Sequence, residues 1–253
     1  MKNLTFIIIS VLLISSISLR AQKGKELVIG ANAALTGVVI MNQNFYGEPE
    51  VDYAPKMGYA ASFNLGYNFS ESLGIMGEVQ YSLQGQKYEG KQSFGGNTYE
   101  VARDIDLRYL NIPLFFKFSS GDKLVRFRFL IGPQVGILLD ATQEYTRNGI
   151  KIGTSATDLD GNEFITDAND IKDRFDKYDF GIAGDVGADF HVSDVLCLTA
   201  GLRGNYGFRD INARAYRIDD LDGEYTPSHN VWGGLYIGIL YKIDVQGYNQ
   251  RSF

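Results

Sequence analysis

From Met57 to Phe69 the odd positions are Met57, Tyr59, Ala61, Phe63, Leu65, Tyr67 and Phe69, and the even positions are Gly58, Ala60, Ser62, Asn64, Gly66 and Asn68. Strict period two with one bulky apolar face and one small polar face predicts a β-strand. The pattern recurs along the chain. Leu73, Ile75, Val79, Tyr81 and Leu83 oppose Gly74, Met76, Glu78, Gln80, Ser82 and Gln84. Leu110 to Phe118 opposes Asn111, Phe115 and Lys117, and Val125 to Leu139 opposes Arg126, Arg128, Gly132, Gln134, Gly136 and Asp140. Further strands are predicted at Phe180–Phe190, Leu196–Phe208, Val231–Ile243 and, at the front, Leu27–Val39. This makes eight strands and no convincing helix. Short connections (Ser70–Ser72, Ser119–Lys123, Val192–Asp194) alternate with long ones (Met41–Lys56, Glu89–Asn97, Arg147–Lys177, Arg217–Asn230). The expected architecture is therefore all-β: an eight-stranded antiparallel up-and-down transmembrane β-barrel with long extracellular loops and both termini periplasmic.

Alternation alone does not say which face points outward, because a soluble barrel also alternates with its apolar face inside. Volume decides. An eight-stranded barrel has an interior just wide enough for side chains to fill. A crowded lumen needs small residues and a watery surface does not, so the Gly, Ala, Ser and Asn rows go inside and the bulky rows face lipid. Tyr67, Phe69, Phe118, Phe127, Phe190 and Tyr241 near one end, and Tyr59, Tyr81, Tyr206 and Phe208 near the other, suit interfacial girdles.

Met1–Ala21 reads as a signal peptide: Lys2, then the apolar run Leu4–Ile17, then Leu19-Arg20-Ala21 before the cut. Residues 22–253 form the barrel domain. The formal charge of −6 becomes −8 once Lys2 and Arg20 are removed, with 22 basic against 30 acidic residues. An acidic chain argues against nucleic acid. One Cys and two His argue against a disulfide or a zinc site. With 16 Tyr and 16 Phe among 253 residues the chain is not disordered.

The run Tyr109-Leu110-Asn111-Ile112-Pro113-Leu114 resembles the "YLxIPL" strand of the PorT-like outer-membrane barrels of Bacteroidetes, and Ile131-Gly132-Pro133-Gln134-Val135-Gly136 resembles their "xGPxxG" strand. Asp179-Phe180-Gly181-Ile182 and Asn205-Tyr206-Gly207 follow in the family's order, so the similarity covers essentially the mature chain. The resemblance implies an integral outer-membrane barrel. The family's namesake is implicated in secretion of surface proteins. The last strand, with Gly238, Tyr241 and Ile243, departs from the usual assembly signal, because eight residues follow Val245.

Inward charges are the strongest local feature. Glu78, Lys117, Arg126, Arg128, Asp140, Asp185, Asp189, Arg203, Arg209 and Lys242 fall on the predicted lumen face. Glu78, Lys117, Arg128, Asp185 and Arg203 are expected to form an interior charge network. Such a set serves either a gated pore or a plug of ion pairs, and eight strands leave little free bore, so the plug is favoured. Asp158, Asp160 and Asn162 have the opening spacing of a calcium loop, but Glu163 replaces the required Gly and Asn169 the required Glu, so no metal is expected. Asp220-Leu221-Asp222-Gly223 reads as a turn. His191 and His229 fall at opposite ends, which rules out a Ser-His-Asp set. Cys197 is a small filler, and Trp232 faces the lumen or its rim. The expected protein is a noncatalytic outer-membrane barrel with no cofactor and a mobile acidic outer surface, in a structural, surface-binding or export-assembly role. Its expected partners are outer-membrane lipid and envelope or secretion-machinery proteins. The alternatives are a narrow channel for small solutes and a hydrolase built on loop carboxylates.

Overall fold

The computed structural model describes residues 25–41, 51–151, 156–157, 163–164, 170–217, 219 and 223–245. The expected signal peptide Met1–Ala21 and the calcium-like positions Asp158, Asp160, Asn162 and Asn169 lie outside the described residues, as do Asp220, Leu221 and Asp222. No helix among the described residues is long and apolar enough to cross a membrane, which says nothing about crossing by strands.

The strands in chain order are β1 (Glu26–Met41), β2 (Val51–Ala54), β3 (Lys56–Asn68), β4 (Leu73–Phe94), β5 (Asn97–Gly121), β6 (Val125–Arg147), β7 (Ile150–Lys151), β8 (Ala156–Thr157), β9 (Glu163–Phe164), β10 (Tyr178–His191), β11 (Leu196–Gly207) and β12 (His229–Asp244). One antiparallel sheet holds ten of them, in the order β10-β11-β12-β1-β3-β4-β5-β6-β7 with β2 against β4, while β8 and β9 pair separately. The sheet is thus larger than the eight strands expected, by two short pieces. Within it, β10 also pairs with β6, so eight long strands form a closed circuit of pairings.

The register fixes the slant of that circuit. Starting at Met57, the pairs run through Gly37, Gly233, Gly204, Gly184, Ile131, Phe116 and Ile75 and return to β3 at Tyr67, ten residues along. A ten-residue stagger over eight strands implies a tilt of about 40° at ordinary strand rise and spacing.

Exposure follows the period-two rows. On β3 every even position is buried and nearly every odd one exposed. Phe63, Phe127, Leu235 and Ile237 are 57%, 70%, 67% and 68% exposed. The bulky rows therefore point out and the small polar rows point in. Ring pairs cluster at both ends of the outer face: Tyr67–Phe69 at 5.4 Å between centroids toward the short turns, and Tyr59–Tyr81 at 6.4 Å and Tyr206–Phe208 at 5.6 Å toward the long loops.

The long-loop end departs from expectation. The predicted loop Glu89–Asn97 is a continuation of β4 and β5, which pair up to Phe94 and Asn97 around Gly95-Gly96. Both glycines have positive φ, 59° and 81°, which a two-residue hairpin turn of this hand requires. In this projecting part the hydropathy of the two faces exchanges. Val101, Ile105 and Leu107 point in and are buried, while Glu100, Asp104, Asp106 and Arg108 lie on the outer face. Ile40, Tyr88, Tyr109, Leu138 and Ala141 complete an apolar cluster in the mouth, and Ile171, Phe175 and Ile211 reach into it from the connecting segments. Ile171 N–H donates to Ala141 O at 2.9 Å, Asp176 N–H to Ile211 O at 2.7 Å and Ala213 N–H to Arg174 O at 2.9 Å. Segments 170–177 and 208–213 are thus folded onto the mouth rather than free of it, a correction to the mobile outer surface expected there.

Candidate functional site

The inner face carries the charges, and pairing decides whether they can stay there, since a buried charge without a partner is very costly. Arg203 on β11 places Nη1 2.6 Å from Glu78 Oε2 and Nη2 3.0 Å from Glu78 Oε1. Its Nε and Nη2 each lie 3.1 Å from Asp185 Oδ2. Arg128 on β6 donates to Asp189 at 2.7 Å, to Asp185 at 3.3 Å and to the Tyr236 hydroxyl. Lys117 on β5 is 3.6 Å from Asp189, which also accepts from the Thr199 hydroxyl at 2.9 Å. Three carboxylates face three cations, so the cluster is neutral. The five residues singled out from sequence, Glu78, Lys117, Arg128, Asp185 and Arg203, all meet here, and Asp189 joins them.

Topology gives one of these contacts special weight. In the closed circuit β4 and β11 are four strands apart in either direction, so they are opposite walls. The two-pronged Arg203–Glu78 pair spans the full width of the lumen. Tyr236 fills the space beside it, with Arg203 Cζ 4.8 Å and Arg128 Cζ 5.4 Å from its ring centroid. Phe115 supports Arg203 from the other side at 5.3 Å. Phe115 falls on the inward row predicted from sequence but without a role, and Tyr236 carried no signal of its own, because an inward aromatic looks like misplaced bulk. Their rings are the flat apolar surfaces on which guanidinium groups pack.

Other predicted inward charges lie elsewhere. Lys242 and Arg126 belong to the short-turn mouth, where Lys242 contacts His191 at 2.7 Å and Glu26 at 3.4 Å, and Arg126 contacts Glu71 at 3.4 Å. A cavity of about 510 Å³ opens there, reaching up to Lys117 and Asp189. Asp140 is not on the lumen face. The register of β6 shifts between Arg108 and Tyr109, so that Arg108 pairs with Asp140 and Tyr109 with Leu138. This extra residue is a β-bulge, and it turns Asp140 to the outer face beside Arg108, its ion-pair partner. Arg209 lies beyond the end of β11 and is exposed, 2.9 Å from Asp176. Cys197 is fully buried and Trp232 faces the interior. His191 and His229 sit at opposite ends of the strands. Among the described residues no group of three or more His, Cys, Asp or Glu side chains could hold a metal.

The last connecting segment is organised by Asp210. Its carboxylate accepts from Tyr225 at 2.9 and 2.8 Å, from the backbone N–H groups of Asn212 and Ser228 at 3.1 Å each, and from Arg217 at 2.9 Å. Burial, then the hydrogen bond to Asp210, push the Tyr225 phenol up to about 12 from its ordinary 10. The folded segment keeps that proton while an unfolded one releases it near pH 10. Its anchoring is therefore complete below pH 10 and lost as pH rises toward 12. Asp210→Ala should leave several donors unsatisfied and loosen the segment by about 1–3 kcal/mol. Hydrogen exchange at residues 208–217 should accelerate, with exchange in β3 and β4 unchanged.

The outer membrane protein beta-barrel domain family matches residues 20–213. The chain belongs to that family. Solved structures similar to this barrel include Neisserial surface protein A, 14% identical over 86% of this chain and 97% of that one with a TM-score of 0.42. Ail, the attachment invasion locus protein of Yersinia pestis, is 13% identical over 87% and 99% with a TM-score of 0.39. The outer membrane protein OprG from Pseudomonas aeruginosa is 10% identical over 89% and 99% with a TM-score of 0.41. No curated protein matches the chain.

Proposed function

We propose that this chain is an eight-stranded up-and-down barrel that spans the outer membrane as a closed, noncatalytic body, with its short turns and both termini in the periplasm and residues 1–21 cleaved as a signal peptide. The carrying observation is the composition of the outer rows. Across all eight strands of the circuit, from Leu27 to Val39, Met57 to Tyr67, Leu73 to Leu83, Leu110 to Phe118, Val125 to Leu139, Tyr178 to Phe190, Leu196 to Tyr206 and Val231 to Ile243, the outward positions hold no Asp, Glu, Lys, Arg or His. Ten residues from Met57 to Tyr67 rise roughly 25 Å at a tilt of 40°, the height of the apolar band of an outer-membrane barrel. Closure of the circuit pairs the backbone groups that hydrocarbon would leave unsatisfied. Above the band, Arg108 and Asp140 mark where the outer face meets water.

Two seals close the bore on this reading: the Arg203–Glu78 pair across the middle and the apolar cluster under Ile171 and Phe175. Solute passage is therefore not the role. What the barrel offers is a rigid outer surface and a periplasmic mouth, which fits surface binding or service in an envelope export assembly. The runs Tyr109–Leu114 and Ile131–Gly136 favour the PorT-like branch of the family, and with it the export reading.

Planar-bilayer recording tests closure. Purified protein should give no resolved single-channel steps, and ion-selective steps that disappear on Arg203→Glu would contradict the seal. Crosslinking in intact envelopes followed by affinity capture tests the assembly role, with secretion-machinery components as the expected partners. Recovery of the barrel alone would count against it.

A further inference from the structure

The short-turn mouth holds cations that its ion pairs do not fully use. One cavity of about 510 Å³ is lined by Lys117 on β5, Arg126 on β6 and Lys242 on β12. Around the circuit β5 and β12 lie four strands apart in either direction, so Lys117 and Lys242 stand on opposite walls of it. Lys117 is more than nine-tenths buried, and its ammonium makes no hydrogen bond among the described residues. The carboxylate oxygen beside it, Asp189 Oδ2, is 3.6 Å away. The Ser119 hydroxyl, two residues along the same face of β5, also lines the cavity and has no hydrogen-bond partner. Lys242 gives one N–H to His191 Nε2 at 2.7 Å and is 3.4 Å from Glu26, whose Oε2 already accepts from Asn68 at 2.9 Å.

Depth separates the two signs. The side chains of Lys117, Lys242 and Arg126 are 6%, 12% and 15% exposed, while those of Glu26 and Glu71 are 27% and 59% exposed. Asp194, on the lip, is exposed as well. The one deep acid among the lining residues is Asp189, and its Oδ1 already accepts from Arg128 at 2.7 Å and Thr199 at 2.9 Å. A carboxylate at the rim is screened by water and offsets a buried cation only weakly. The floor of the cavity is therefore positive, with N–H donors on facing walls. A planar carboxylate serves donors on one side. A phosphate group carries up to two negative charges and three strong acceptor oxygens, which serve several walls at once. The cavity lies inside the circuit, whereas lipid would touch the outer rows, so the group belongs to a soluble molecule. We propose that the short-turn mouth binds the phosphate group of a small soluble molecule between Lys117, Arg126 and Lys242. That this molecule is periplasmic rests on the orientation proposed above; the binding does not.

Phosphorus-31 line broadening of inorganic phosphate, with the full refolded chain in octyl glucoside micelles at constant ionic strength, tests it. Broadening that sulfate displaces and chloride does not is expected. Lys117→Met and Lys242→Gln should each raise the dissociation constant roughly tenfold, as loss of one charge-assisted hydrogen bond does. Lys87→Gln, on the projecting hairpin, should leave it unchanged. If Lys117→Met does not fold, Lys242→Gln decides alone, because Lys242 stands outside the charge-balanced cluster. Absence of broadening, broadening that chloride removes equally well, or wild-type affinity in Lys242→Gln would each overturn the proposal. The measurement needs no bilayer, so its failure would leave the membrane orientation standing.

Discussion

Glu78→Ala is expected to lower the stability of the folded barrel by about 3–5 kcal/mol, because it leaves Arg203 buried against Asp185 with an uncompensated positive charge. Arg203→Ala should cost a similar amount by stranding Glu78 and Asp185. Arg128→Ala leaves Asp189 with only Lys117 and Thr199 and should follow the same direction. Urea titration of the gel-mobility shift reads all three. The replacement of both partners by apolar residues, Glu78→Leu with Arg203→Met, should recover most of the loss, since an ion pair and a well-packed apolar pair are close in free energy once neither charge is stranded. If the single variants unfold at the wild-type midpoint, the pair does not hold opposite walls together.

Leu235→Arg is expected to cost about 2–4 kcal/mol, the depth-dependent penalty for a charge on the lipid face near the bilayer midplane. Leu202→Arg on the adjacent strand should behave alike. On the projecting part of β6, Thr142→Arg lies on the outer face above Asp140 and should change stability by no more than about 0.5 kcal/mol, as surface substitutions in water do. A series of outward Arg substitutions along β6 and β12, measured by reversible unfolding in vesicles, should therefore trace a profile that falls to zero at the level of Arg108 and Asp140. A flat profile would mean that the bulky rows do not face hydrocarbon.

The strands of the band were legible from sequence because each residue's face follows from parity alone, and parity survives until something adds a residue. Asp140 shows the limit. It follows Leu139 in a run whose even members point inward, and only the offset between Arg108–Asp140 and Tyr109–Leu138 reveals that the frame has changed. The projecting hairpin was misread for a related reason. Tyr99, Val101, Arg103, Ile105 and Leu107 keep the same parity as Tyr109 and Asn111, yet their outer neighbours are charged rather than apolar. The periodicity never stops at Glu89–Asn97; the hydropathy of its two faces inverts along the projecting part of the strands. That inversion is present in the sequence and, on the orientation proposed above, sets the level of the bilayer surface.

The charge cluster was readable as a set of inward residues but not as a set of partners. Which acid meets which base depends on the stagger of the circuit, which places Glu78 and Arg203 opposite each other although 125 residues separate them. Asp189 was on the inward list and proves to be the partner of both Arg128 and Lys117. The cap formed by Ile171, Phe175 and Ile211 gave no periodic signal, since its members come from irregular segments and meet only in the folded mouth.

The central claim is orientation, and site-directed spin labels in bilayers test it most directly. With a Cys197→Ala background, labels introduced at Leu235 and Leu202 should show high collision frequency with oxygen and low frequency with a water-soluble nickel chelate, while a label at Glu100 on the projecting hairpin should show the reverse. Nickel-accessible labels at Leu235 and Leu202 would place the bulky rows in water and contradict the account.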